Sequence, residues 1–275
     1  MDERYGMEDA VEIISGNGAA SVILLCDHAS NNLPEQYGSL GLPTSELERH
    51  IGYDIGAAGV TRAMAAALSC PAALSRFSRL LIDPNRGEDD PTLIMKISDG
   101  ALIPVNVAIT AAEAINRVTH YYAPYHSAVA QLVENAMHGG YMPIIVSLHS
   151  FTPEWRGAKR PWHAGVLWDG DPRLALPLID ALREDGSLIV GDNEPYSGAL
   201  KGDTLYKHAT LRGLAHALVE IRQDLIADAA GQQAWAGRLV QIIRRMMADP
   251  ALAAQLASVQ HFPSRADQPR THISS

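Results

Sequence analysis

The sequence predicts an α/β fold with three αβα layers around a mixed, mainly parallel central sheet. Three observations carry this. Short apolar runs alternate with helical segments along the chain, the pattern of strands joined by crossover helices. Runs such as Ile144-Ile145-Val146 are β-branched-rich, continuously apolar and too short for a helix, as buried strands are. Several of these runs break off into loops that carry a histidine, an acid or an arginine, and ligands of open α/β sheets sit beyond the carboxyl ends of strands. No internal repeat or linker interrupts the 275 residues, so a single domain is expected, with 1–17 and 259–275 peripheral or loose.

Taken in order, Ala20–Cys26 is the first core strand, followed by Asp27, His28 and the loop formers Asn31, Asn32 and Pro34. Leu33–Pro43 is a Gly/Pro-punctuated loop, and Thr44 or Ser45 caps a helix through Ile51. Gly52 and Asp54 precede an Ala-rich helix over Ile55–Leu68. Pro71–Leu74 and Arg79–Asp83 are expected strands, the second stopped by Pro84-Asn85-Arg86-Gly87. Asp89–Pro104 is a long loop suited to a pocket wall, and Thr110–Met137 is helical with a kink at Pro124. After Gly139-Gly140 comes the central strand, Pro143–Ser147, running into His149 and Ser150. Glu154–Trp162 is a basic, Trp-bearing loop, Ala164–Trp168 a strand and Asp171–Glu184 a helix with Pro172 in its first turn. A loop rich in turn formers spans Gly191–Gly198; Ala215–Ile221 is the last strand and Ala229–Met247 an amphipathic helix with Arg238, Arg244 and Arg245 on its solvated side.

Composition narrows the function. Hydrophobic residues make up 47% and charged residues 19%, as in ordinary globular chains. A net charge of -9 argues against non-specific nucleic-acid binding and against adhesion to anionic membranes, but leaves room for a small anionic ligand held by a local arginine cluster. Two cysteines make no disulfide framework, and no apolar run reaches the ~20 residues that cross a bilayer, so a reducing, cytoplasmic setting is expected.

The chemistry gathers at strand ends. His28 and His149 each follow a buried strand; if their strands are neighbours, two imidazoles and a carboxylate make a zinc set with an open position. Asp54 is the candidate carboxylate, its alternative role being a helix cap; Asn31, a neutral amide, is the weaker candidate. Glu220 stands alone inside Ala217-Leu218-Val219 and Ile221, and a buried acid needs a partner, a metal or a raised pKa. Either Arg222 pairs with it or it is a general base, and Glu194 is a second acid for that role. Arg76, Arg79 and Arg86 crowd one segment, with Asn85-Arg86 held in a tight turn and fit to grip a carboxylate.

CDHASNNLP (Cys26–Pro34), HIGYDIGA (His50–Ala57), SRLLIDPNR (Ser78–Arg86), VSLHSFTP (Val146–Pro153), NEPYSG (Asn193–Gly198) and HALVEIRQDL (His216–Leu225), in this order, resemble the N-formylglutamate amidohydrolase family over roughly residues 20–226. The family is in turn similar to zinc carboxypeptidases, which implies a zinc-exopeptidase type of fold. The resemblance implies one zinc ion on His28 and His149, with Asp83 supporting His28; Asp54 supplies the carboxylate from elsewhere in the chain, or the site binds metal weakly or not at all. The resemblance also implies Glu220 as general base, Asn85 with Arg86 on the substrate's α-carboxylate, and Arg79 polarising the scissile carbonyl. Glu194 and Tyr196 would line the pocket. Carboxypeptidases carry a metal-binding acid three residues after the first histidine; this chain has Asn31 there. The implied activity is hydrolysis of a small anionic N-acyl amino acid, N-formyl-L-glutamate first, in the setting of histidine degradation. The alternatives are another N-acyl amino acid or small peptide as substrate, or a metal-free binding protein on the same fold.

Overall fold

Alternation along each strand sends successive side chains to opposite faces of a sheet, and here both faces are apolar. The computed structural model describes residues 10–16 and 21–267. The strands are β1 (Val11–Ile14), β2 (Val22–Cys26), β3 (Ala72–Ser75), β4 (Ile97–Ser98), β5 (Ala101–Leu102), β6 (Ile144–Phe151), β7 (Glu154–Trp155), β8 (Ala158–Lys159), β9 (Ala164–Leu167), β10 (Val190–Asp192) and β11 (His216–Arg222). Seven of them form one sheet in the order β1-β3-β2-β6-β11-β9-β10; β4-β5 and β7-β8 are separate two-stranded hairpins. The sheet is mixed: β3, β2, β6 and β11 run parallel, as do β9 and β10, while β1 against β3 and β9 against β11 are antiparallel.

Leu24, Cys26, Val146, Leu148, Val219 and Ile221 pack on one side of the sheet with Val60 and Met64 of α1 (Ala57–Leu68) and Trp235 and Leu239 of α2 (Ala229–Ala248). Ile23, Leu25, Ile145 and Leu218 pack on the other with Tyr125, Val129 and Val133 of α3 (Ala123–His138). These are the expected three layers. By the same alternation Ser147, His149 and Glu220 share the face of Ile145 and Leu218.

Several expectations change. The strand expected over 143–147 runs to Phe151, so His149 is held within β6 rather than after it. Residues 11–14, within a segment expected to be peripheral or loose, form an edge strand on the open antiparallel edge of β3; residues 1–9 and 17–20 lie outside the described residues. The helix expected to Ile51 ends at Leu47, with Gly52 N–H closing a turn on the Arg49 carbonyl.

Arg79–Asp83 is not a strand. Leu80, Leu81 and Ile82 are buried, which gave the segment its strand-like composition, but side chains satisfy its backbone. Asn106 Nδ2 donates to the Leu80 carbonyl (2.8 Å) and the fully buried Arg117 donates through Nη1 to the Leu81 carbonyl (2.9 Å) and to Asn106 Oδ1 (2.7 Å). Such groups are tolerated inside only when bonded, so this network fixes a turn where a ladder would otherwise form.

At the kink expected at Pro124 the chain stays helical: a π-helical turn over Val118–Tyr122 runs directly into α3, and this widened turn accommodates a residue that has no N–H to give to the preceding turn. The extra residue turns Tyr121, Tyr122 and Tyr125 inward. The tail is not loose as far as it is described: Ser264 Oγ donates to Asp169 Oδ2 (2.5 Å) and Gln260 N to the Gly213 carbonyl (2.8 Å). Residues 268–275 lie outside the described residues. Among the described residues, no helix is long and apolar enough to cross a membrane.

Candidate active site

β2, β6 and β11 are adjacent and parallel, so their carboxyl ends open on one crevice, and the sequence places His28, His149 and Glu220 there. The two imidazoles stand edge to face, ring centroids 4.9 Å apart. Between them lies Asp54, whose Oδ2 is 2.8 Å from His149 Nδ1 and 3.3 Å from His28 Nδ1. Asp54 is brought there by the turn before α1: its N–H donates to the His28 carbonyl (2.9 Å) and its carbonyl accepts from Ala57 N. All three residues are buried, and one donor atom from each lies within 4.8 Å of the others, so they could hold a metal ion.

The outer nitrogens support that reading chemically. His28 Nε2 is 2.7 Å from Asp83 Oδ1, and His149 Nε2 is 3.0 Å from Asp27 Oδ2. Each ring therefore has a carboxylate on Nε2 that leaves Nδ1 facing Asp54, the arrangement that fixes tautomer and orientation in metal-binding histidines. The supporting role expected of Asp83 matches its position. Asp27 was missed, although its charge at the very end of an apolar strand is the same signal that singles out Glu220. Tyr125 Oη, Ser147 Oγ and Thr204 Oγ1 all donate to Asp27, at 2.9, 2.8 and 2.6 Å.

Burial alone would raise the carboxyl pKa values of Asp27, Asp54 and Asp83. Facing histidines hold Asp27 and Asp54 below the usual carboxylate range, and Arg79 with His28 does the same for Asp83. Burial also opposes a charged ring on His149, but Asp27 and Asp54 carry it well above the ordinary imidazole value. Asn31 is elsewhere occupied: its Nδ2 donates to the Leu47 carbonyl (3.2 Å).

Glu220 is the lateral neighbour of His149 in the β6–β11 register and of Gly165 in β9. The pairing with Arg222 is not seen, since Arg222 Nε donates to Asp224 Oδ1 (2.7 Å). Glu220 Oε2 is buried without a hydrogen-bond partner, and burial, reinforced by Asp54, pushes its pKa up to about 7. At Gly165 a Cβ would stand 1.9 Å from the Glu194 carbonyl oxygen. Glycine thus lets the 193–198 loop lie against β9 beside Glu220. The expectation that Glu194 lines the pocket is corrected: its backbone is pinned there, but its side chain is exposed and outside the cleft lining, and Tyr196 enters the wall instead.

The crevice is a cleft of about 470 Å³ whose walls include His28, Asp54, Arg79, Asn85, Arg86, His149, Tyr196 and Glu220. Arg79 is tied to Asp83 Oδ2 (Nη2, 2.9 Å) and stands 3.6 Å from Asp54 Oδ1, while its Nε is buried without a partner. The Asn85-Arg86 turn is braced from several sides. Asn85 N donates to Asp83 Oδ1 (2.9 Å), Thr204 N to Asn85 Oδ1 (3.2 Å) and Tyr122 Oη to the Arg86 carbonyl (2.6 Å). Asn85 Oδ1 is thus engaged as acceptor, Asn85 and Arg86 both line the cleft, and Arg86 has no acidic partner among the described residues.

Asp203 is a further buried acid of the cleft, unremarked in the sequence. It caps Thr204–His208, accepting from Tyr206 N (2.6 Å), and burial pushes its pKa up to about 7. A carboxyl raised in the folded state favours the fold fully below its unfolded value, and that advantage is lost as pH rises through about 7. Asp203→Asn keeps the cap acceptor without the charge. The variant is therefore expected to gain on the order of 2 kcal/mol relative to wild type between pH 5 and pH 8 in denaturant melts; the same difference at both pH values would show that ionised Asp203 carries no cost.

The sequence profile described as N-formylglutamate amidohydrolase matches residues 20–227. A solved gene product of Agrobacterium tumefaciens is 34% identical, with a TM-score of 0.83, over 92% of this chain and 98% of its own. The solved N-formylglutamate amidohydrolase of Ralstonia eutropha JMP134 shares the fold at 21% identity and a TM-score of 0.67, over 86% of this chain and 96% of its own. No curated protein matches significantly.

Proposed function

The chain belongs to the N-formylglutamate amidohydrolase family, and we propose that it is a zinc-dependent enzyme that hydrolyses N-formyl-L-glutamate to formate and glutamate. The observation that carries this is the convergence of His28 Nδ1, His149 Nδ1 and Asp54 Oδ2 beside an unpaired Glu220 carboxylate. When bound by these three residues, zinc supplies Lewis acidity, making a water acidic near neutral pH and polarising a carbonyl.

The protein's own groups do the rest. Asn85 Nδ2 and the Arg86 guanidinium hold the α-carboxylate, which fixes the amide over the histidines. Glu220 takes the proton of the attacking water and returns it to the leaving nitrogen, a role suited to a carboxyl poised near the operating pH. Arg79, immobilised by Asp83 and Asp54, directs its positive charge at the oxygen that becomes negative. Tyr196 contributes to the wall of the cleft.

The test is formate release from a panel of N-acyl amino acids by protein purified without chelator. N-formyl-L-glutamate should be the best substrate, activity should vanish on chelation, and zinc should restore it. Arg86→Ala should raise KM for it by at least ~10-fold. Stoichiometric zinc with no hydrolysis of any amide would leave only a binding role, and a panel in which the formyl compound is inert would move the assignment to another acyl group.

A further inference from the structure

Arginines near the cleft are mostly matched to acids: Arg49 bonds Glu46 and Asp99, Arg79 bonds Asp83, and Arg222 bonds Asp224. Arg160 is not. Its guanidinium lies over the rings of Phe151, Trp155 and Tyr196, at 5.7, 5.3 and 5.0 Å from their centroids, and its Nη1 donates to Thr152 Oγ1 (3.2 Å). All four of these partners line the cleft. Among the described residues no carboxylate faces this cation. Aromatic rings hold a guanidinium in place without neutralising it, so the charge remains available to an anion.

Tyr196 fixes where that anion would sit. Its hydroxyl pKa is raised first by burial and then by Glu220, and lowered by Arg160, whose guanidinium lies over its ring. One aromatic residue therefore feels both the proposed proton acceptor and the unmatched arginine. Arg86, an arginine of the cleft wall itself without an acid, belongs to a different segment, the Asn85-Arg86 turn, whereas Arg160 stands behind the rings that line the cleft.

We propose that Arg160, held by Phe151, Trp155 and Tyr196, forms a second carboxylate subsite that selects N-acyl amino acids with an acidic side chain. The inference rests on the amidohydrolase reading, in which Arg86 and Asn85 take the α-carboxylate. Arg160 then takes the side-chain carboxylate through charge-assisted hydrogen bonds, and neutral analogues leave it unmatched.

Binding of the product tests the subsite apart from the chemistry. L-glutamate and L-glutamine differ only at the side-chain terminus, so the ratio of their affinities, read by calorimetry on the zinc-loaded protein, isolates that contact. Wild type should favour glutamate by at least ~10-fold. Arg160→Gln should bring the ratio close to one with glutamine affinity unchanged, which also shows that the variant is folded, and Arg160→Lys should keep part of the preference. A ratio near one in wild type, a preference that survives Arg160→Gln, or equal loss of both ligands in both variants overturns the proposal. Turnover of N-formyl-L-glutamate is scored separately: its absence in wild type strikes the amidohydrolase reading, while the affinity ratio still decides the subsite.

Discussion

Replacing Glu220 by glutamine is expected to lower turnover by at least ~100-fold while the protein keeps its metal ion and its fold. The expectation follows from position. Glu220 stands beside His149 in the register of two central strands, yet its Oε2 makes no hydrogen bond, an arrangement that costs stability and calls for a task to explain it. Glutamine is nearly isosteric but cannot take a proton from water. Metal analysis and turnover on the same preparation separate this from a ligand role, and wild-type turnover in the variant would remove Glu220 from the mechanism.

The pH dependence gives a second reading of the same substitution. Burial raises the Glu220 carboxyl from 4.5 to about 7. Its contribution to folding is thus fully present below about 4.5 and is lost as pH rises through about 7. A cation on the neighbouring histidines favours the ionised form, so the acid limb of kcat/KM in the loaded enzyme should fall at or below 7 and disappear in Glu220→Gln. In metal-free melts the variant should gain on wild type between pH 5 and pH 8. Loss of activity with a parallel loss of stability at both pH values would instead mark a folding defect.

What the sequence made legible follows from locality. Strand-end histidines and a lone acid in an apolar run are visible because each departs from its immediate neighbours, and three-layer packing is visible because both faces of β2, β6 and β11 are apolar. Arg79–Asp83 misled because buried Leu80, Leu81 and Ile82 look alike whether their carbonyls meet a strand or the side chains of Asn106 and Arg117, 26 and 36 residues away. Asp27 escaped notice because its partners, Tyr125, Ser147 and Thr204, lie 98, 120 and 177 residues from it and only folding assembles them. Arg160, one basic residue of the Glu154–Trp162 segment, was not singled out, for a similar reason: its cage draws on β6, the β7–β8 hairpin and the loop after β10.

Asp54→Asn is expected to strip the protein of metal and abolish activity, whereas Asn31→Ala leaves both intact. Asp54 is the single anionic group shared by His28 Nδ1 and His149 Nδ1, while Asn31 is turned away to the Leu47 carbonyl. An amide is a poor replacement for a carboxylate on a divalent cation, so affinity should fall by at least ~100-fold, as far as or further than loss of an orienting carboxylate such as Asp83 or Asp27. The same substitution removes the countercharge 3.6 Å from Arg79 and a bond to His149, so the metal-free variant should also be less stable, by about 3 kcal/mol. Metal content after purification without chelator, measured on both variants, decides between the two positions. If Asn31→Ala loses the ion and Asp54→Asn holds it, the ligand set is wrong, and Asp54 is left as the acid that merely tethers the start of α1 to the His28 strand end.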